Sequence, residues 1–153
     1  MKNETKKTIH SIGLLLFIGY LLALTYFLFF AEAYGRATGT GEYSYNLVLL
    51  KEIKRFLNYR EIIGYRLVIV NLVGNVMAFV PFGAILPILR RETRGILRIA
   101  ILTLEFSLLV ETIQLIYKVG SFDVDDLLLN TLGGVLGYGI FVFCNYLRRK
   151  FYG

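Results

Sequence analysis

Four stretches of about twenty residues, nearly free of charge, leave this chain few places to fold other than a bilayer. A hydrocarbon core of about 30 Å takes roughly 20 apolar residues per helical crossing. Backbone inside that core must satisfy its own hydrogen bonds, which a helix does within one segment. The stretches fall at about 9–31, 67–89, 96–117 and 127–147. They predict an all-α integral membrane protein with four transmembrane helices, forming a single domain over residues 1–153. Hydrophobic residues make up 56% of the chain, and no separate soluble domain is expected.

The first stretch has a second reading. Lys2, Lys6 and Lys7 precede an apolar core, and Ala31-Glu32-Ala33 follows as a cleavage-like site, so a signal peptide fits the order of features. The core is longer than the roughly 7–15 residues of a signal, which favours an uncleaved first helix. The polar interval from Glu32 to Tyr65 opens with Gly35, Gly39 and Gly41, a flexible loop. Over about 45–58, Val48, Leu49, Ile53, Phe56 and Leu57 follow helical spacing opposite Lys51, Glu52, Lys54 and Arg55. That pattern predicts a short amphipathic helix, either lying in the membrane interface or packed on the other spans.

The polar residues inside the spans carry the functional reading. Asn71 and Asn75 share one face of the second span, whose interior Pro81 predicts a kink. In the third span Thr103, Ser107 and Glu111 repeat every four residues, with Gln114 three further on, while Glu105 lies on another side. The fourth span is entered through Asp123, Asp125 and Asp126, followed by Asn130. Asp125 reads as a solvated cap or first-turn charge, and Thr131 as packing. Gly133 and Gly137 stand in GxxxG spacing, a face for packing within the bundle or for a homodimer.

Basic residues orient the spans. Lys2, Lys6, Lys7, Arg90, Arg91, Arg94, Arg98, Arg148, Arg149 and Lys150 fall on one side, and the rest of the Lys and Arg on the other. The positive-inside rule then predicts a multi-pass protein of the cell membrane with both termini cytoplasmic. The net charge of +6 is accounted for by this topology and by anionic headgroups, and no nucleic-acid partner is expected. Cys144 and His10 are single, so no cysteine or histidine metal cluster can form within the chain.

With that topology the polar positions of three helices meet at one depth. Asn75 and Glu111 lie about 9–12 Å from their helix ends, and Asn130 about 6 Å from its own. Asn71, Asn75, Glu111, Gln114, Asp123, Asp126 and Asn130 are therefore the expected lining of an outer-leaflet pocket. A carboxylate at such depth needs a proton, a cation or water. Glu111, Asp123 and Asp126 are the candidates for a hard divalent cation, and Glu111 and Asp126 for a general acid and base. A buried Glu111 that titrates would instead suit a small ion-coupled carrier.

Several of these residues, in order, resemble the VanZ-like family. They are Asn71-Leu-Val-Gly-Asn75 leading to Phe79-Val-Pro81-Phe-Gly83, then Glu111-Thr-Ile-Gln114, then Asp123-Val-Asp-Asp126 with Asn130-Thr-Leu-Gly133-Gly134. The resemblance runs from Asn46 to Gly137. It implies a cell-envelope membrane protein that lowers susceptibility to teicoplanin and lipoglycopeptides, without implying a reaction. On that implication the pocket would bind or shield a lipid-linked cell-wall precursor or the drug; the alternatives are an enzyme acting on a lipid-linked substrate, or the carrier. Two departures stand out. Asn46-Leu47-Val48-Leu49 lacks the proline common in relatives, and Gly120 and Ser121 stand where many relatives have an arginine, leaving Lys118 as the nearest basic residue.

Overall fold

The computed structural model describes residues 3–29 and 43–152. The cleavage-like site at 31–33 and the glycine-rich loop at 35–41 lie outside the described residues. The chain forms α1 (Asn3–Phe29), β1 (Tyr45–Asn46), α2 (Lys51–Asn58), α3 (Arg60–Ile63), α4 (Tyr65–Leu89), a 3-10 turn (Arg91–Thr93), α5 (Ile96–Tyr117), β2 (Phe122–Asp123) and α6 (Val124–Tyr152). Four of these, α1, α4, α5 and α6, are long and apolar enough to cross a membrane. The chain is an all-α membrane protein, as its hydropathy predicts.

Close backbone approach organises the bundle. α4 packs most extensively on α6, α5 packs on α6 and touches α4, and α1 packs on α4. A Cβ at Gly133 would stand 2.0 Å from the Val76 carbonyl oxygen, and one at Gly137 2.0 Å from that of Val80. The glycine face that also suited a homodimer is therefore covered by α4 of the same chain. Gly83 meets Gly134 across the same seam, and Gly134 seats against Thr103 of α5. Phe82 links three helices: its ring stacks on Phe106 at 5.0 Å and lies 5.9 Å from Phe17. α4 continues through both Pro81 and Pro87 as one helix, so the expected kink does not interrupt it.

The helix ends explain themselves chemically. Asp123 caps α6, its Oδ1 accepting the Asp125 backbone N–H at 2.8 Å, with Asp125 and Asp126 at the positive end of the helix dipole. α5 ends in a Schellman turn, with Val119 N–H donating to Gln114 O and Lys118 N–H to Leu115 O, both at 3.1 Å. Lys118 occupies the left-handed position (φ 55°) that glycine usually fills. The junction between α3 and α4 does use glycine, at Gly64 with φ 93°.

The amphipathic stretch is shorter than its pattern suggested. Only Lys51–Asn58 is helical; Tyr45–Asn46 is extended, and Val48–Leu50 form a turn. The reason is local. The Asn46 side chain accepts from Val48 N–H and donates to Val48 O, closing an Asx-type turn that excludes helix there.

Candidate functional site

The polar ends of α4, α5 and α6 are drawn together by a connection that spans half of the sequence. β1 and β2 pair in parallel, Tyr45 against Phe122 and Asn46 against Asp123. The Ser44 and Ser121 hydroxyls meet at 3.0 Å, and Asn46 Nδ2 donates to Asp123 Oδ1 at 3.0 Å. The first polar loop is thus fastened over the last one, and α2 is held above the bundle.

Asp125 anchors α2 directly. Its carboxylate accepts from the backbone N–H groups of Leu50, Glu52 (2.8 Å) and Ile53 (3.1 Å). These are donors that the first turn of a helix cannot satisfy within itself. Asp125 is a first-turn charge of α6, as its position in the sequence suggests, but not a solvated one: it is 1% exposed and caps a helix other than its own. Leu50 pays for this geometry with a left-handed backbone, φ 63°.

Beneath α2 lies a cavity of about 910 Å³ between α1 and α4. Asn71, Asn75, Gln114, Asp123 and Asp126 line it, five of the seven residues expected there. Asn75 Nδ2 donates to Asp126 Oδ1, and Gln114 Nε2 donates to Leu28 O of α1 at 3.0 Å. Asn71 donates back to Leu67 O within its own helix at 2.8 Å. Deeper along the same cavity the lining turns apolar, with Tyr20, Leu24, Met77, Ala78 and Pro81. From Asn71 to Pro81 it follows α4 for about 15 Å, half of a bilayer's hydrocarbon.

Glu111 and Asn130 do not line the cavity, contrary to expectation. Glu111 is 4% exposed, and its Oε2 accepts the Asp123 backbone N–H at 3.2 Å, which locks the loop before α6 onto α5. Asn130 faces the α5 polar stripe, donating to Ser107 Oγ at 2.8 Å. Both lie in the seam between α5 and α6, because residues at 103, 107 and 111 face residues at 134 and 130 across it. The Ser107–Asn130 bond predicts that Ser107→Ala costs about 1 kcal/mol in thermal unfolding of detergent-solubilised protein. Exposed Thr112→Val, whose hydroxyl bonds only its own helix, should cost less in the same measurement. Thr131 likewise bonds its own helix, at Leu127 O, consistent with a packing role. Glu105 stands on the outer face of α5, off the site.

The geometry also decides what the carboxylates can do. Among the described residues no three His, Cys, Asp or Glu side chains gather into a group that could hold a metal ion. Asp123 Oδ1 is engaged by Asn46 and by the Asp125 N–H instead. An acid–base pair of Glu111 and Asp126 is not presented jointly to the cavity, since only Asp126 lines it. Burial raises the Asp123 pKa, opposed by the Asp125 N–H, the Asn46 amide and the charge of Arg55. A raised folded value means a contribution to stability that is full in acid and lost as pH rises through that value.

Arg55 is the site residue that sequence reasoning placed elsewhere. The amphipathic pattern puts it on the polar side of a helix that is either interfacial or packed on the spans, and it lines the cavity beside Glu52, with which it pairs at 2.6 Å. Its guanidinium lies 5.2 Å from the centre of the Phe56 ring. Lys118 lines the cavity as well, its ammonium 4.7 Å from the Tyr43 ring centre. The cationic groups therefore arrive from α2 and from the end of α5, not from Gly120–Ser121.

Four apolar helices, a polar cap closed by loop pairing, and a cavity that grades from amide and carboxylate to hydrocarbon define a multi-pass membrane protein with an amphipathic chamber in one half of the bundle. The VanZ/LLP1 family model matches residues 17–145, and the chain belongs to that family. It is similar to Protein VanZ of Enterococcus faecium, 36% identical over 75 residues, covering 49% of this chain and 46% of that protein. The match thus spans about half the length of that relative. No solved structure matches the chain at a significant level.

Proposed function

We propose that the chamber binds a single amphiphile in the outer leaflet, with its headgroup under α2 and its chain along the groove between α1 and α4. The observation that carries this reading is the gradient within one cavity, from Asn75, Asp126 and Arg55 to Leu24, Met77 and Pro81. A purely polar solute has no use for the second set, and an unfunctionalised acyl chain has none for the first. Lipid-linked cell-wall precursors and acyl-tailed glycopeptides such as teicoplanin both have this two-part chemistry. Amides and carboxylates suit sugar hydroxyls and peptide N–H groups, and Arg55 and Lys118 suit a phosphate or carboxylate. Sequestering either partner would lower susceptibility to the drug, the role that family membership points to. The outer-leaflet placement rests on the concentration of Lys and Arg at the opposite end of the bundle.

Binding of the full chain in nanodiscs to lipid-linked precursor and to teicoplanin tests this directly. Asp126→Ala should weaken binding about tenfold or more, the worth of one charge-assisted hydrogen bond. Glu105→Gln, on the outer face of α5, should leave it unchanged. Absence of binding to both ligands, or binding indifferent to Asp126, overturns the reading.

A further inference from the structure

A second cavity, of about 530 Å³, opens at the other end of the bundle, where α1 begins and where α4 and α6 end. Arg91, Arg94, Arg148 and Arg149 line it, and among the described residues no carboxylate does. Its remaining lining includes Ile9, Ile88, Leu89 and Phe141, an apolar floor. Like charges gathered round one cavity repel one another, even with all four arginines exposed. The nearest acid in sequence, Glu92, is exposed and lines no part of it.

Two of the arginines are held in place. Arg94 Nε donates to Pro87 O at 3.0 Å, an orphan carbonyl of the last turn of α4, and its guanidinium lies 5.3 Å from the centre of the Phe141 ring. Arg148 Nη2 donates to Asn145 Oδ1 at 2.8 Å. Ordering a guanidinium before a ligand arrives lowers the entropy lost on binding. α4 has 25 residues, about 37 Å of helix, which exceeds the hydrocarbon thickness and suits Arg91 and Arg94, just beyond its end, to headgroup level.

We infer that this cavity is a binding site for the phosphate of an anionic membrane lipid, with the guanidiniums on the phosphate and the upper acyl chain against Ile88, Leu89 and Phe141. Planar guanidiniums match phosphate oxygens in pairs, and basic pockets between spans are where such headgroups bind. The site lies at the opposite end of the bundle from the amphiphile chamber and does not depend on it.

The test is native mass spectrometry of the detergent-solubilised full chain, titrated with phosphatidylglycerol, phosphatidylcholine or inorganic phosphate. Phosphatidylglycerol should be retained at least about tenfold better than phosphatidylcholine, and Arg94→Gln with Arg148→Gln should reduce its retention about tenfold or more. Arg90→Gln with Arg98→Gln removes the same charge outside the cavity and should leave retention unchanged. Should the first pair aggregate on size exclusion, Arg149→Gln alone carries the comparison with a smaller loss. Equal retention of the two lipids, an equal effect of the Arg90/Arg98 pair, or retention of inorganic phosphate equal to that of phosphatidylglycerol would overturn the assignment, the last by giving the site to a soluble anion.

Discussion

Gly83→Ala should lower the stability of the detergent-solubilised protein by about 3 kcal/mol or more, read as a drop in thermal midpoint and loss of the monodisperse peak. The added methyl would stand 1.8 Å from the Gly134 carbonyl oxygen, and the colliding group is backbone. No rotamer change removes such a clash; α4 and α6 must separate, and dispersion contacts along the seam go with them. Gly74→Ala is the matched control. A methyl there meets nothing within 4 Å, so helix propensity alone acts, and a gain of up to about 1 kcal/mol is expected. If both variants behaved alike, the close approach of α4 and α6 would be wrong.

Asp125→Ala is expected to release α2 from the bundle. The substitution leaves the Leu50, Glu52 and Ile53 amides without their acceptor and removes a buried charge from its donors. A loss of about 3 kcal/mol follows for leaving three backbone amides without their charged acceptor. Hydrogen exchange locates the effect: those three amides should exchange far faster, while the α4–α6 seam keeps its protection. Asp125→Asn retains one carbonyl oxygen and should fall between. Unchanged exchange at the three amides in Asp125→Ala would remove Asp125 as the anchor of α2, and with it the roof of the chamber.

The spans were legible because a bilayer sets one length and one chemistry for every crossing. The meeting of Asn75, Gln114, Asp123 and Asp126 was legible too, since span parity alone brings those helix ends to one side. What the sequence did not disclose was which face each polar residue takes. Glu111 and Asn130 have the depth expected of them, but the α5–α6 seam absorbs both, and depth carries no rotational information. The pairing of β1 with β2 escaped notice because two residues have no periodicity. Asp125 looked like a charge on its own helix because nothing local shows that Leu50, 75 residues earlier, returns to it. The glycines showed their purpose but not their partner: GxxxG spacing is the same whether the facing helix belongs to this chain or to another.

The proposed outward face of the chamber can be probed on intact cells. In a Cys144→Ser background, Asn71→Cys places a thiol at the lining of the larger cavity, and His10→Cys places one at the smaller cavity. On intact cells a membrane-impermeant maleimide should label the first, with protection by teicoplanin or lipid-linked precursor, and should reach the second only after permeabilisation. Labelling of His10→Cys in place of Asn71→Cys, or labelling at 71 that neither ligand diminishes, would contradict an outward-facing amphiphile site.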